Sequence, residues 1–142
     1  MAPTGPARAE RDRDARVGNA PERVVRAFLS ALETRDLTAA GALLTPDVRM
    51  VFPGGVEHRN LDALVRDASE RYRRVGKRIA SIEVHDGGRL VYVLGTLHGI
   101  DLNGTPFEGV RFIDRFEIAD GKIHRQDVWN DLAESGVVKQ RP

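Results

Sequence analysis

The sequence predicts an α+β fold in which helices come first and an antiparallel sheet follows. Three observations carry this. Apolar residues recur at three- and four-residue spacings as far as Tyr72. From Lys77 onward the spacing becomes two, the period of a strand with one buried face. Gly87-Gly88, Asn103-Gly104 and Asp120-Gly121 then punctuate the strands, and turns this short join antiparallel neighbours.

Pro21 fits the first turn of a helix, and Val25, Phe28, Leu29 and Leu32 form its apolar stripe. Asp36 caps a shorter helix carrying Leu37, Ala40, Leu43 and Leu44. Val48 to Phe52 reads as a short strand ended by Pro53-Gly54-Gly55. Asn60 caps a third helix, with Leu61, Leu64, Val65, Ala68 and Tyr72 on one face. Four strands follow, over 79–85, 90–102, 106–119 and 122–131. The strand from Leu90 to Leu102 is apolar on both faces, so one face packs on the helices and the other meets a second subunit or a pocket. Residues 1–19 read as a tail that buries no core, 20–135 as one domain and 136–142 as a C-terminal tail.

A chain of 142 residues, 41% hydrophobic and 30% charged, suits one globular domain. Cysteine is absent, which excludes disulfides, thiolate nucleophiles and cysteine metal sites. The net charge of +1 comes from acids and bases mixed along the chain, which argues against a nucleic-acid surface. No apolar run approaches a membrane span, and a cytoplasmic protein is the expectation. His58, His85 and His124 show no metal-ligand spacing, and no phosphate loop or dinucleotide fingerprint is present, so no metal or cofactor is expected.

Asp114 is the most informative residue. On a strand, Val110, Phe112, Asp114, Phe116 and Ile118 share one face, an acid in a row of large apolar groups. A carboxylate removed from water must be paired or hold its proton. A two-residue Asp120-Gly121 turn with continuous pairing sets Asp114 opposite Asp127, Phe112 opposite Trp129, and Phe116 opposite Arg125. That register makes an acid pair with Arg125 beside it. One bulge between Ile123 and Asp127 would send Asp127 and Trp129 to the other face. By the same register logic, His98 shares a face with Thr96, Arg111 and Asn130, and is a general base if that face lines a pocket, or part of a structural polar network if it does not.

The segment Val24 to Leu32 with Asp36-Leu37, the Phe52-Pro53-Gly54-Gly55 turn, and Arg115-Phe116 with Asp120-Gly121-Lys122-Ile123 resemble the nuclear transport factor 2-like superfamily, and within it the SnoaL-like domains. The resemblance runs from Pro21 to about Glu134. It implies a cone: three N-terminal helices packed on a curved antiparallel sheet, with an apolar pocket inside. Relatives include polyketide cyclases, ketosteroid isomerase and limonene epoxide hydrolase. Ile113-Asp114-Arg115-Phe116 matches the isomerase segment whose acid donates a hydrogen bond to the substrate oxyanion. The isomerase tyrosine and base match Phe28 and Phe52, so its mechanism does not carry over. Two of the epoxide hydrolase site positions fall near Leu94 and Thr96, and its third acid falls one place from Asp127. The last-strand acid of the cyclases matches Asp127 or Asp131.

The functional expectation is an enzyme acting on a small, mostly apolar organic molecule by acid–base chemistry, of isomerase, cyclase or epoxide hydrolase type. Asp114 is the acid or oxyanion donor, Asp127 its partner or base, Arg125 the charge that sets which ionises, and His98 a further base. Phe28, Phe52, Tyr72, Phe112, Phe116 and Trp129 shape the pocket, and the sheet forms a homodimer. The alternative is a non-catalytic ligand-binding or dimeric interaction module of the same fold.

Overall fold

The computed structural model describes residues 6–140, with side chains from residue 20 onward. The elements in order are α1 (Pro6–Glu33), α2 (Leu37–Gly41), β1 (Leu44–Phe52), β2 (Val56–His58), α3 (Leu61–Ser69), β3 (Tyr72–His85), a 3₁₀ turn (Asp86–Gly88), β4 (Leu90–Asp101), β5 (Pro106–Ala119) and β6 (Lys122–Asn130). Both expected caps form. The Asp36 carboxylate accepts from Ala39 N at 3.1 Å and Asn60 Oδ1 accepts from Ala63 N at 2.8 Å, each satisfying a free amide of a first turn.

Helix α1 begins before Pro21, which lies inside it. The backbone of residues 6–19, read as tail, is therefore helical, consistent with its Ala, Arg and Glu content. Residues 1–5 lie outside the described residues. At the other end, Val138 is buried and belongs to the core, although 136–142 reads as tail. Tyr72 opens β3 rather than closing the third helix, which stops at Ser69.

The sheet has six strands in the order β2-β1-β6-β5-β4-β3. It is mixed rather than wholly antiparallel, because β1 lies parallel to β6. The inner face carries Val91, Val93 and Leu97 of β4 and Val110, Phe112, Asp114 and Phe116 of β5, all buried. Val25, Phe28 and Leu29 of α1 pack against it, with Phe28 edge-on to Phe116 at 6.1 Å.

Curvature comes from bulges. In β3 the register against β4 shifts between Ile79 and Ser81. There, a Cβ on Gly95 would sit 2.1 Å from the Arg78 carbonyl oxygen, so only glycine permits the close approach of the two backbones. A second bulge decides the site. The β5–β6 pairing shifts between Glu117 and Ile118 because His124 is an extra residue on β6.

Candidate functional site

That extra residue settles the inner face of β6. Beyond it, Gln126 opposes Phe116, Val128 opposes Asp114, and Asn130 opposes Phe112. Asp114 has no exposure at all, and it answers to a cation instead of an acid: Lys77 Nζ donates to Asp114 Oδ2 at 2.5 Å. Lys77 comes from β3, two strands away, where it stands opposite Leu97. Its ammonium also lies 5.0 Å above the centre of the Phe112 ring, a cation–π contact. Asp114 Oδ1 has no hydrogen-bond partner among the described residues.

The pair lines a mostly apolar cavity of ≈80 Å³ with Phe52, Tyr72, Phe112 and Val128. A second polar pair reaches the same cavity. His58, at the end of β2, is buried and stands 3.5 Å (Nε2 to Oδ2) from Asp67 of α3. Its ring meets Phe52 edge-on at 5.6 Å. Tyr72 lines the cavity as well, and burial pushes its phenol above the ordinary range while Arg35 partly opposes the rise. The hydroxyl therefore stays a hydrogen-bond donor at neutral pH. A neighbouring lobe, also ≈80 Å³, shares Phe52, Leu64, Tyr72, Val75 and Lys77 with the first and ends at Gln126. One interior thus holds a cation, a buried carboxylate, an imidazole–carboxylate pair and a phenol.

A family model described as SnoaL-like domain matches residues 25–126, from α1 to the inner-face Gln126. The chain belongs to this family. Comparison with curated protein sequences finds no match. Solved structures share the fold. A nuclear transport factor 2-like protein of unknown function from Burkholderia pseudomallei superposes with a TM-score of 0.75 at 21% identity, covering 85% of this chain and 98% of its own. TerC, crystallised with polyporic acid, gives a TM-score of 0.75 at 19% identity and covers 85% and 99% of the two chains. A candidate polyketide cyclase from Xanthomonas campestris pv. campestris gives 0.73 at 23% identity, covering 84% and 96%. At these identities the likeness is one of fold.

Within this SnoaL-like cone the expected site residues divide. Asp114, Phe52, Tyr72 and Phe112 line the cavity. Phe28 and Phe116 have no exposure and belong to the core beneath it. Asp127, Arg125 and Trp129 lie on the outer face, opposite Arg115, Glu117 and Ile113. The expected Asp114–Asp127 pair therefore does not form. Asp127 is held by Arg125 through two bonds of 2.9 and 3.0 Å, with Arg115 at 3.7 Å. The same contact holds the Arg125 guanidinium above its usual range. Thr96 stands opposite Arg111, as expected, and His98 stands opposite Gly76 of β3. Asn130, however, has turned to the inner face, and Arg111 pairs with Asp131 at 2.6 Å. Lys77, His58 and Gln126 are cavity residues that the sequence alone does not single out. Lys77 was legible from the Val75, Lys77, Ile79 alternation, had β3 been started at Tyr72. His58 follows from folding β2 back across the Gly54-Gly55 turn, which pairs it with Met50.

Among the described residues no cluster of three or more His, Asp or Glu side chains is arranged to hold a metal. No helix among them is long and apolar enough to cross a membrane. The outer face bears an open groove of ≈640 Å³ lined by Trp129 and Ile113, 55% and 41% exposed.

Proposed function

We propose that the chain is an enzyme that moves a proton on a small, largely apolar organic molecule inside the cone. The observation that carries this is Asp114: a fully buried carboxylate with one oxygen on Lys77 and the other without a partner among the described residues, at the wall of an apolar cavity. Asp114 Oδ1 takes a proton from a carbon next to a substrate carbonyl. Lys77 has two further N–H bonds to offer and holds the carbonyl oxygen as negative charge develops. His58, positioned by Asp67, returns a proton at the far side of the cavity. Tyr72 donates to an oxygen of the ligand, and Phe52 and Phe112 hold its apolar body. Two fold relatives support a small organic ligand in such a cone: TerC was crystallised with polyporic acid, and the Xanthomonas protein is a candidate polyketide cyclase. The ligand-binding alternative is favoured at Asp127, which its arginines seal, but not at Asp114, which lines the cavity.

The test is deuterium exchange. Small cyclic ketones and enones incubated with the protein in heavy water should lose α-proton signals by NMR faster than in buffer. Asp114→Asn should slow the exchange by at least about 100-fold, the scale of a positioned acid–base group. No catalysed exchange for any ring that binds would leave the non-catalytic reading.

We also infer that two copies pair through the outer face, where Trp129 and Ile113 leave apolar surface uncovered. Sedimentation velocity at micromolar concentration should give a dimer, and Trp129→Glu a monomer. A wild-type monomer would refute the pairing.

A further inference from the structure

Two buried side-chain oxygens have no hydrogen-bond partner among the described residues: Asp114 Oδ1 and Gln126 Oε1. Gln126 is 1% exposed. Native interiors leave few such atoms unpaired, and each asks for an explanation. Both belong to the inner face. Asp114 opposes Val128 and Gln126 opposes Phe116, so they are diagonal neighbours on adjacent strands, with backbones roughly 7–8 Å apart. The two residues line different lobes of the interior, and Lys77 lines both. Among the other side chains lining the lobe at Gln126 only Arg35, Tyr72 and Lys77 can donate a hydrogen bond, and none of them bonds the Gln126 oxygen.

On the strength of the acid–base reading above, we propose that Gln126 selects the substrate by accepting a hydrogen bond from a hydroxyl on it. The substrate is then a compact, single-ring molecule. One side presents the carbonyl and the carbon that Asp114 deprotonates, and the side across the ring carries the hydroxyl that Gln126 reads. Size supports a single ring. The two lobes share five wall residues and hold ≈80 Å³ each, so together they take no more than one six-membered ring, which fills a cavity of roughly 150 Å³. Charge supports a neutral donor, because Lys77 and Arg35 line the same lobe against the single carboxylate of Glu33 and together repel a cationic one. The exclusion of analogues follows the same logic. A ring without the hydroxyl leaves the Gln126 oxygen buried and unpaired, which a site built around a hydrogen bond does not tolerate.

The experiment uses one ring with two, one and no hydroxyls: resorcinol, phenol and benzene. Their binding to the full chain is measured by calorimetry for the wild type, Gln126→Leu and Asp114→Asn. The wild type should bind resorcinol about tenfold tighter than phenol, the scale of one neutral hydrogen bond. Gln126→Leu should bind the two alike. Asp114→Asn should weaken both while keeping their ratio. An unchanged resorcinol preference in Gln126→Leu overturns the role of Gln126 and leaves the acid–base reading standing. Benzene bound as tightly as phenol, by the wild type and Asp114→Asn alike, overturns that reading itself. No binding of any ring at millimolar concentration overturns both. Should Gln126→Leu fail to fold, the side-chain amide resonances of Gln126 in the wild type decide. They should move with resorcinol beyond their response to phenol, and equal responses overturn the proposal.

Discussion

Lys77→Met should lower the stability of the fold by about 3 kcal/mol, the scale on which a buried charge left without its partner destabilises a protein. Met keeps much of the stem volume of Lys and removes the charge. What is lost is the ammonium that answers a carboxylate with no exposure of its own. The reverse change should cost less. In Asp114→Asn the ammonium left behind belongs to a side chain 23% exposed, so water reaches it. The double variant should recover most of the loss, because nothing charged then remains unpaired. Urea unfolding of the four proteins closes the cycle. A loss in Lys77→Met no larger than that of a surface substitution, about 0.5 kcal/mol, would mean that Asp114 does not depend on Lys77.

Deletion of His124 should leave the fold and its inner face in place. His124 is the extra residue of β6. Were it kept in the ladder, continuous pairing from the Asp120-Gly121 turn would carry Arg125 and Asp127 into the core and expel Val128. Burying two charges among Phe112, Phe116 and the α1 stripe costs several kcal/mol for each, against a total stability of about 5–15 kcal/mol, so the strand bulges at His124 instead. Without His124, continuous pairing sets Arg125 opposite Glu117, Gln126 opposite Phe116 and Val128 opposite Asp114, the pairs already present. The deletion loses the bulge and the contacts on the β1 side, where Thr45 Oγ1 and Asp47 Oδ1 lie 3.4 and 3.5 Å from His124 Nδ1. His124→Ala keeps the residue count and should fold as well. Near-UV circular dichroism of Trp129 reads the outcome, and loss of the native spectrum in the deletion would refute the account.

The same residue marks where the sequence stops being legible. The helix stripes, the Asp36 and Asn60 caps and the Asp120-Gly121 turn declare themselves because each rests on neighbours in the chain. The family resemblance and the buried Asp114 were readable for the same reason, one from local motifs and the other from period-two alternation. The partner of Asp114 was not. Continuous pairing offered Asp127, yet that register also buries Arg125, and a face that must accept two charges is the poorer solution. Read that way, the apolar Val128 already argued for a bulge. Lys77 and His58 reach the cavity only through tertiary pairing, Lys77 from a strand not adjacent to β5 and His58 from β2, the short edge strand. The parallel pairing of β1 with β6 has no local signature at all.

That pairing also sets when the interior comes into being. Thr45 and His124, which meet across it, are 79 positions apart. Every other neighbouring pair in the sheet joins strands consecutive in the chain, so the β3–β6 meander can zip up hairpin by hairpin. The β1–β2 arm must wait for β6 before it docks. Phe52 and His58 arrive with that arm, whereas Lys77, Asp114 and Gln126 are brought together by the meander. The polar interior is therefore assembled open-sided and roofed last. A ligand present during folding would meet the buried carboxylate before the wall closes, and slow docking of the arm becomes the step at which the exposed inner face is most prone to aggregate.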